Sequence, residues 1–213
     1  MFRRITILVD NNSWILPYAE QLQQTLVKLN YQCVLVRSAN DIPKGDVCFL
    51  LGCTKIVPKN ILLYNQYNMV IHESNLPQGK GFAPIAWQIL EGKKVIPVCL
   101  IEANYSVDSG DIWLKEYIEL VGDELSHQWR IKQGEISIQL AIKFIINFHE
   151  LKPQVQLGKS TNYPRRTPKD SELDINKTLA EQFDLLRVVD NHLYPAFFNH
   201  LGVRYKIKVY RDE

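Results

Sequence analysis

Cysteine is scarce in this 213-residue chain: Cys33, Cys48, Cys53 and Cys99 are the four, and no two form a Cys-x-x-Cys pair. That excludes a disulfide scaffold, and no cluster of ligands points to a metal. Three of the four lie inside apolar runs that read as strands, so they are expected to be buried, reduced thiols. An excess of one charge is also missing. Lysine and arginine total 25 against 23 acidic residues, a net charge of +2. Basic clusters are short, as at Pro164-Arg165-Arg166, so no nucleic-acid polymer is expected as a partner. Long hydrophobic runs are absent too. No stretch approaches the length of a membrane span. The apolar run behind Arg3 and Arg4 is too short for a signal peptide and meets Asp10 at once. A cytoplasmic location away from membranes is expected. There is no Walker loop, dinucleotide fingerprint, internal repeat or low-complexity segment.

What is present is ordinary globular material, 46% hydrophobic and 23% charged, enough for one α/β domain with a substantial core. Arg4 to Asp10 reads as a buried first strand with a polar stop. Asn11-Asn12-Ser13 offers N-cap chemistry to an amphipathic helix through Leu22, Leu26 and Leu29. Gln32 to Val36, Asp46 to Leu51, Asn68 to His72 and Val95 to Ile101 read as further strands. Phe82 to Leu90 reads as a helix, with Pro84 in its first turn and Gly92 past its end. Such alternation predicts an α/β fold, a Rossmann-like, mostly parallel sheet flanked by helices. Ligands then bind beyond the carboxyl ends of the strands, where Asp10 and His72 fall. Asp123 to His149 follows as a long helical pattern weakened by Gly134. Lys152 to Pro164 reads as a loop. Leu179, Phe183, Leu186 and Val189 mark a helical face, and Val203 to Tyr210 alternates like an exposed edge strand. The expected organisation is an α/β core over 1–150 and a short C-terminal helix and strand extension over 151–213, packed on that core as one domain.

Chemistry concentrates between His72 and Gly92. A histidine ends a strand, and a loop containing Pro77, Gly79 and Gly81 leads into the helix. Asp108, in Val107-Asp108-Ser109-Gly110-Asp111, lies just after the next strand, so a histidine and a carboxylate leave neighbouring strand ends and can converge on one cleft. Asp-Ser-Gly is also a good turn sequence, and a strand-end histidine is often an ordinary polar residue. The turn from Asp10 to Trp14 has two readings of equal weight: a helix cap with a packing tryptophan, or a contact with phosphate or sugar at the helix N-terminus.

These residues carry a family resemblance. His72, Ser74, Leu76, Pro77, Lys80, Gly81, Pro84 and Trp87 resemble the loop of the folate-dependent formyltransferases, which runs Asn-x-His-x-Ser-Leu-Leu-Pro-x-x-Arg-Gly-x-x-Pro and continues into a helix with a tryptophan. Lys80 stands for the arginine. Asp108, Gly110 and Asp111 resemble the family's Asp-x-Gly-Asp motif, and the 36-residue separation of His72 from Asp108 fits it. Arg165 to Asp170 and Tyr194 to Phe197 resemble the end of the module in the sugar-modifying branch. Over its whole length the chain looks closest to enzymes that N-formylate nucleotide-linked amino sugars for surface polysaccharides or flagellar glycans. Among these it most resembles the type acting on UDP-linked 4-amino precursors of pseudaminic-acid-like sugars.

The resemblance implies 10-formyltetrahydrofolate as co-substrate, no metal, and transfer to the 4-amino group of a nucleotide-linked, UDP-type dideoxy amino sugar. It implies His72 as general base and Asp108 as its partner. Ile56, Ser74, Leu76, Pro77, Gly81, Asn104, Val107 and Asp108 are the implied folate contacts, with Gly79 and Gly81 letting backbone approach the folate. Asn11, Asn12, Ser13, Trp14 and Lys80 are the implied contacts to the sugar nucleotide. The family's asparagine two residues before the histidine is replaced by Val70, which has no donor. Such a donor is worth about 2.7–4 kcal/mol in acyl transfer. Asn68, on the same strand face but roughly 6–7 Å away, is the first candidate to replace it. Asn75 and a bound water are the others. Two further readings stand beside this one: a formyltransferase with another amine acceptor, such as initiator tRNA or a purine precursor, and a folate- or nucleotide-sugar-binding protein without turnover. A homodimer is left open.

Overall fold

The computed structural model describes residues 2–212. Ten strands and five α-helices follow one another: β1 (Arg4–Leu8), α1 (Leu16–Lys28), β2 (Gln32–Val36), β3 (Gly45–Leu50), α2 (Lys59–Leu62), β4 (Asn65–His72), β5 (Lys80–Gly81), α3 (Pro84–Leu90), β6 (Val95–Glu102), β7 (Ile112–Glu119), α4 (Ser126–Asn147), β8 (Asn162–Tyr163), α5 (Phe183–Val188), β9 (Ala196–His200) and β10 (Val203–Ile207). Six strands form the central sheet in the order β2-β1-β3-β4-β6-β7. The four on the β2 side are parallel, while β6 runs antiparallel to both β4 and β7. The fold is therefore the expected mixed α/β type with a mostly parallel sheet.

The side-chain period of two assigns the faces. Ile5, Ile7, Val47, Phe49 and Met69 turn to one side and join Leu22 and Leu26 of α1 and Leu140 and Phe144 of α4 in the main core. Leu8, Cys48 and Leu50 turn to the other and pack with Ile42, Val57 and Ile61. Gly134 does more than weaken a helix. A Cβ there would lie 2.5 Å from the Tyr18 ring, so its absence lets α1 and α4 approach. All four cysteines are free thiols, and burial pushes those of Cys33 and Cys53 up to about 12. No helix among the described residues is long and apolar enough to cross a membrane.

Several sequence expectations are corrected. Asn11 to Ser13 do not cap α1: the helix begins at Leu16 behind Ile15, without a side-chain cap. The 152–164 stretch is not all loop, because Asn162–Tyr163 pairs in parallel with Lys80–Gly81. The edge strand at Val203–Ile207 has a partner, Ala196–His200. Asp108 does not leave a strand end beside that of β4. β6 is reversed, its Glu102 pairs with Met69, and the 103–111 loop must fold back to reach His72.

The C-terminal segment is fastened to the core at Arg187, which is 2% exposed. Its guanidinium pairs with Glu124 and Asp184, its Nε donates to the Glu124 carbonyl, and its own carbonyl accepts from Trp129 Nε1. Burial alone would push the Glu124 carboxyl up. Hydrogen bonds from Lys132 and from the backbone of Gly122 and Val121 outweigh it and hold the group at about 2. A depressed carboxyl pKa adds stability above its ordinary value, near 4.5, and loses it as pH falls toward about 2. The contribution is roughly 3 kcal/mol. Glu124→Gln is therefore expected to be less stable than wild type above about pH 5, with the gap closing near pH 2. Denaturant midpoints measured across that range check this, and a gap independent of pH would contradict it.

Candidate active site

The site lies where the topology reverses. β1 is flanked by β2 on one side and β3 on the other, and a crevice opens beyond their carboxyl ends. Just past β1, Asp10 accepts hydrogen bonds from the backbone of Thr54 and Lys55 and from the Asn11 amide. Burial works against its charge, but these bonds prevail and hold the carboxyl below its usual range. Asn11 also donates to the Gly52 carbonyl. The loop from Gly52 to Lys55 is thereby pinned between two cavities.

The first cavity, about 290 Å³, is lined mainly by apolar residues such as Leu50, Val57, Leu62, Val70 and Ile101, with Thr54, Lys55, Glu102, Asn104 and Asp108 as polar members. Ile56 and Val107 line it although they are 80% and 58% exposed, an apolar rim without a partner. A flat heterocycle with donors and acceptors at its edges, such as a pterin, fits this lining. The second cavity, about 380 Å³, is lined by Trp14, Phe82, Trp129, Arg130, Arg165 and Tyr194. His72, Gly52, Cys53, Ile71, Gly81 and Phe82 border both cavities.

At that boundary His72 is 5% exposed. Its Nε2 lies 2.8 Å from the Gly79 carbonyl, and its Nδ1 lies 3.6 Å from Asp108 Oδ2, beyond hydrogen-bond distance. The same Asp108 oxygen accepts the Gly81 N–H at 2.8 Å. Asp108 sits in the left-handed region at φ +52°. Gln156 holds it there by donating to the carbonyls of Asp108 and Gly110. Gly110 allows the loop to fold back, since a Cβ there would lie 1.7 Å from the Glu102 carbonyl.

The expected site residues divide. His72, Asp108, Gly81, Ile56, Asn104 and Val107 meet at the first cavity, and Trp14 reaches the second. Ser74, Leu76 and Pro77 are buried beneath the loop, Leu76 packing on Cys99 and Ile101, and none lines either cavity. Lys80 pairs along β8 and lines neither. Asn12 accepts from Arg37, and neither it nor Asn11 nor Ser13 faces a cavity. Asn68 does not join His72. Its amide donates to the Leu62 carbonyl, and the residue lines a separate polar hollow with Lys59 and Asp111. Asn75 is exposed and bonded to Lys115. Gly79 and Gly81 make room for this chain's own Tyr163, whose ring and carbonyl would lie 2.7 and 2.4 Å from the added Cβ atoms. Trp87 holds that segment by donating to the Pro164 carbonyl. Sequence reasoning missed Arg165, Glu73 and Gln133. The first sat in a cluster noted for its charge and its family resemblance but given no contact. Glu73 and Gln133 are brought together only by folding.

The model of the formyl transferase family matches residues 32–138, half of the chain, and the chain belongs to that family. The methionyl-tRNA formyltransferase of Rickettsia bellii is 29% identical over 127 residues, 59% of this chain. The match spans 42% of the length of that relative. Among solved structures, methionyl-tRNA formyltransferase from Clostridium thermocellum superposes with a TM-score of 0.84 at 20% identity, covering 99% of this chain and 94% of that one. HypX from Aquifex aeolicus in complex with tetrahydrofolic acid superposes at 0.82 and 16% identity, covering 98% and 38%. A 4-N formyltransferase from Francisella tularensis superposes at 0.73 and 18% identity, covering 99% and 98%. At these identities the structural likeness is one of fold.

Gly81 is one of the residues that hold Asp108 against His72, and it needs both its φ of +98° and its missing side chain. Gly81→Ala is expected to push Tyr163 away, release the Gly81 N–H from Asp108 and weaken tetrahydrofolate binding. Gly92→Ala, with open space around its Cβ, serves as the control for left-handed strain alone. Calorimetric titration of both variants with tetrahydrofolate checks this; equal affinities would refute it.

Proposed function

We propose that the chain is a folate-dependent N-formyltransferase that moves a formyl group from 10-formyltetrahydrofolate to the 4-amino group of a nucleotide-linked dideoxy amino sugar. The observation that carries the reading is the position of His72, backed by Asp108, on the boundary between an apolar cavity and one bearing arginines and aromatic rings. The apolar cavity, with His72 and Asp108 at its inner end, is the place for the folate. When bound, 10-formyltetrahydrofolate supplies the one-carbon unit. In the second cavity Arg165 lies over the Phe82 ring, 5.3 Å from its centroid, and has no acidic partner among the described residues. An unpaired guanidinium on an aromatic face suits a diphosphate, and Trp14 and Tyr194 offer faces to a base or sugar ring.

His72 has its Nε2 engaged by the Gly79 carbonyl, which leaves Nδ1 to take the proton shed by the attacking amine. The positive charge then forms 3.6 Å from Asp108, whose carboxylate stabilises it and fixes the ring. As the new bond from amine nitrogen to formyl carbon forms and the bond to the folate nitrogen breaks, that proton passes to the departing nitrogen. Val70 gives the formyl oxygen no hydrogen bond. With Asn68 and Asn75 turned elsewhere, an ordered water is the remaining candidate of the three.

A second acceptor, methionyl-tRNA, is favoured by the curated relatives, which carry that activity in their names. Against it stand the balanced net charge and the absence of a basic stripe. A formylation assay with purified protein, 10-formyltetrahydrofolate and UDP- or dTDP-linked 4-amino sugars, run beside methionyl-tRNA, decides between them. Product from the sugars is expected. Product from the tRNA alone would replace the acceptor, and binding of folate and sugar nucleotide without product would favour a non-catalytic protein.

Three variants test the residue roles. His72→Asn is expected to lower kcat by ~10²-fold or more with tetrahydrofolate binding retained. Asn68→Ala, remote from His72, should leave kcat near wild type. Trp14→Ala should raise KM for the acceptor more than for the folate, whereas equal effects with lost stability would make Trp14 a packing residue only.

A further inference from the structure

Glu73 follows the histidine, and the roles proposed above leave it unused. Its side chain lines the acceptor cavity with Gln133, Trp129 and Arg130. Gln133, on α4 and 7% exposed, donates from Nε2 to Glu73 Oε1 at 2.6 Å. The backbone of Glu73 is also held, its carbonyl accepting from Gln88. Two acceptors are then left over. Glu73 Oε2 takes no hydrogen bond from another residue among those described, and Gln133 Oε1 is buried with no partner. A buried unpaired carbonyl oxygen is costly, and here it sits in the wall of a cavity beside an unshared carboxylate oxygen. Two acceptors with no donor between them select a ligand group rich in N–H, and a carboxylate makes a cationic one preferable. A primary amine arriving as an ammonium ion has that chemistry; a hydroxyl has one proton and no charge.

We propose that Glu73 and Gln133 form the seat for the acceptor's amino group, holding it as an ammonium at the edge of His72 and discriminating it from a hydroxyl at the same carbon. The proposal rests on the formyl-transfer reading above and names the group by which the acceptor is chosen. Gln133 positions the carboxylate and contributes its own oxygen. Burial pushes the Glu73 carboxyl up, opposed by the neighbouring His72 and by the Gln133 hydrogen bond, so the group also suits accepting a proton from the ammonium before attack. Balance is kept, since one proton moves from nitrogen to carboxylate and the free amine is left facing His72.

The test compares amine with hydroxyl ligands by calorimetry in the presence of tetrahydrofolate. The probes are UDP-4-amino-4,6-dideoxy-N-acetylglucosamine and the same nucleotide sugar with a hydroxyl at C4. Methionyl-tRNA and the tRNA charged with the corresponding 2-hydroxy acid form a second pair. Wild type is expected to bind the amine member of at least one pair roughly 10-fold or more tightly than the hydroxyl member. Glu73→Gln and Gln133→Leu should each erase that preference while leaving tetrahydrofolate affinity unchanged, which also shows that the variants fold. In turnover, Glu73→Gln should raise KM for the amine and leave KM for the folate alone. No amine preference for either pair in wild type, or a preference that survives in both variants, overturns the proposal. Preference and turnover with the tRNA pair alone would move the acceptor of the preceding section and leave the ammonium seat standing. Sugar-nucleotide turnover without amine preference would do the reverse.

Discussion

One oxygen of Asp108 joins three separate pieces of chain. It accepts the Gly81 N–H of the glycine loop, it faces the ring of His72 at the end of β4, and its own residue belongs to the loop folded back after β6. Each approach has its own requirement. The loop can fold back only because Gly110 has no Cβ to meet Glu102, and Gly81 can approach only because it has none to meet Tyr163. The left-handed backbone of Asp108 is held by Gln156, which comes from beyond α4. The placing of Asp108 against His72 thus rests on backbone contacts at Gly81, Gly110 and Asp108 itself.

Much of this was legible in the sequence, and the illegible part has physical causes. The apolar runs and the Pro84–Gly92 asymmetry located most of the strands and α3, because burial and capping leave local signals. Direction left none. A buried run such as Val95–Glu102 reads alike parallel or antiparallel, so the reversal of β6 was hidden and with it the route by which Asp108 arrives. His72 and Asp108 were found because a motif spacing pointed to them. Glu73 and Gln133 lie 60 residues apart with no motif between them, and only the packing of α4 makes them neighbours. Glycine was visible as permission for close approach, but not which chain would approach. The partner of Gly79 and Gly81 is Tyr163, far along a stretch whose composition reads as loop.

The C-terminal segment is more than a cover. Through Pro164 it anchors Trp87, through Tyr163 it completes the glycine loop, and through Arg165 and Tyr194 it builds one side of the second cavity. Arg187 and Glu124 fix its far end to the core with a buried ion pair. A helix of six residues such as α5 would not persist alone. It is the tether that makes it part of the site.

The pinned loop from Gly52 to Lys55 has a thermodynamic corollary. It is a partition with a cavity on each face, and Asp10 holds its backbone from behind. Were a guest in one cavity to press on this partition, the other cavity would feel it. Linkage makes that influence mutual: whatever factor the first guest imposes on the affinity of the second is returned in equal measure.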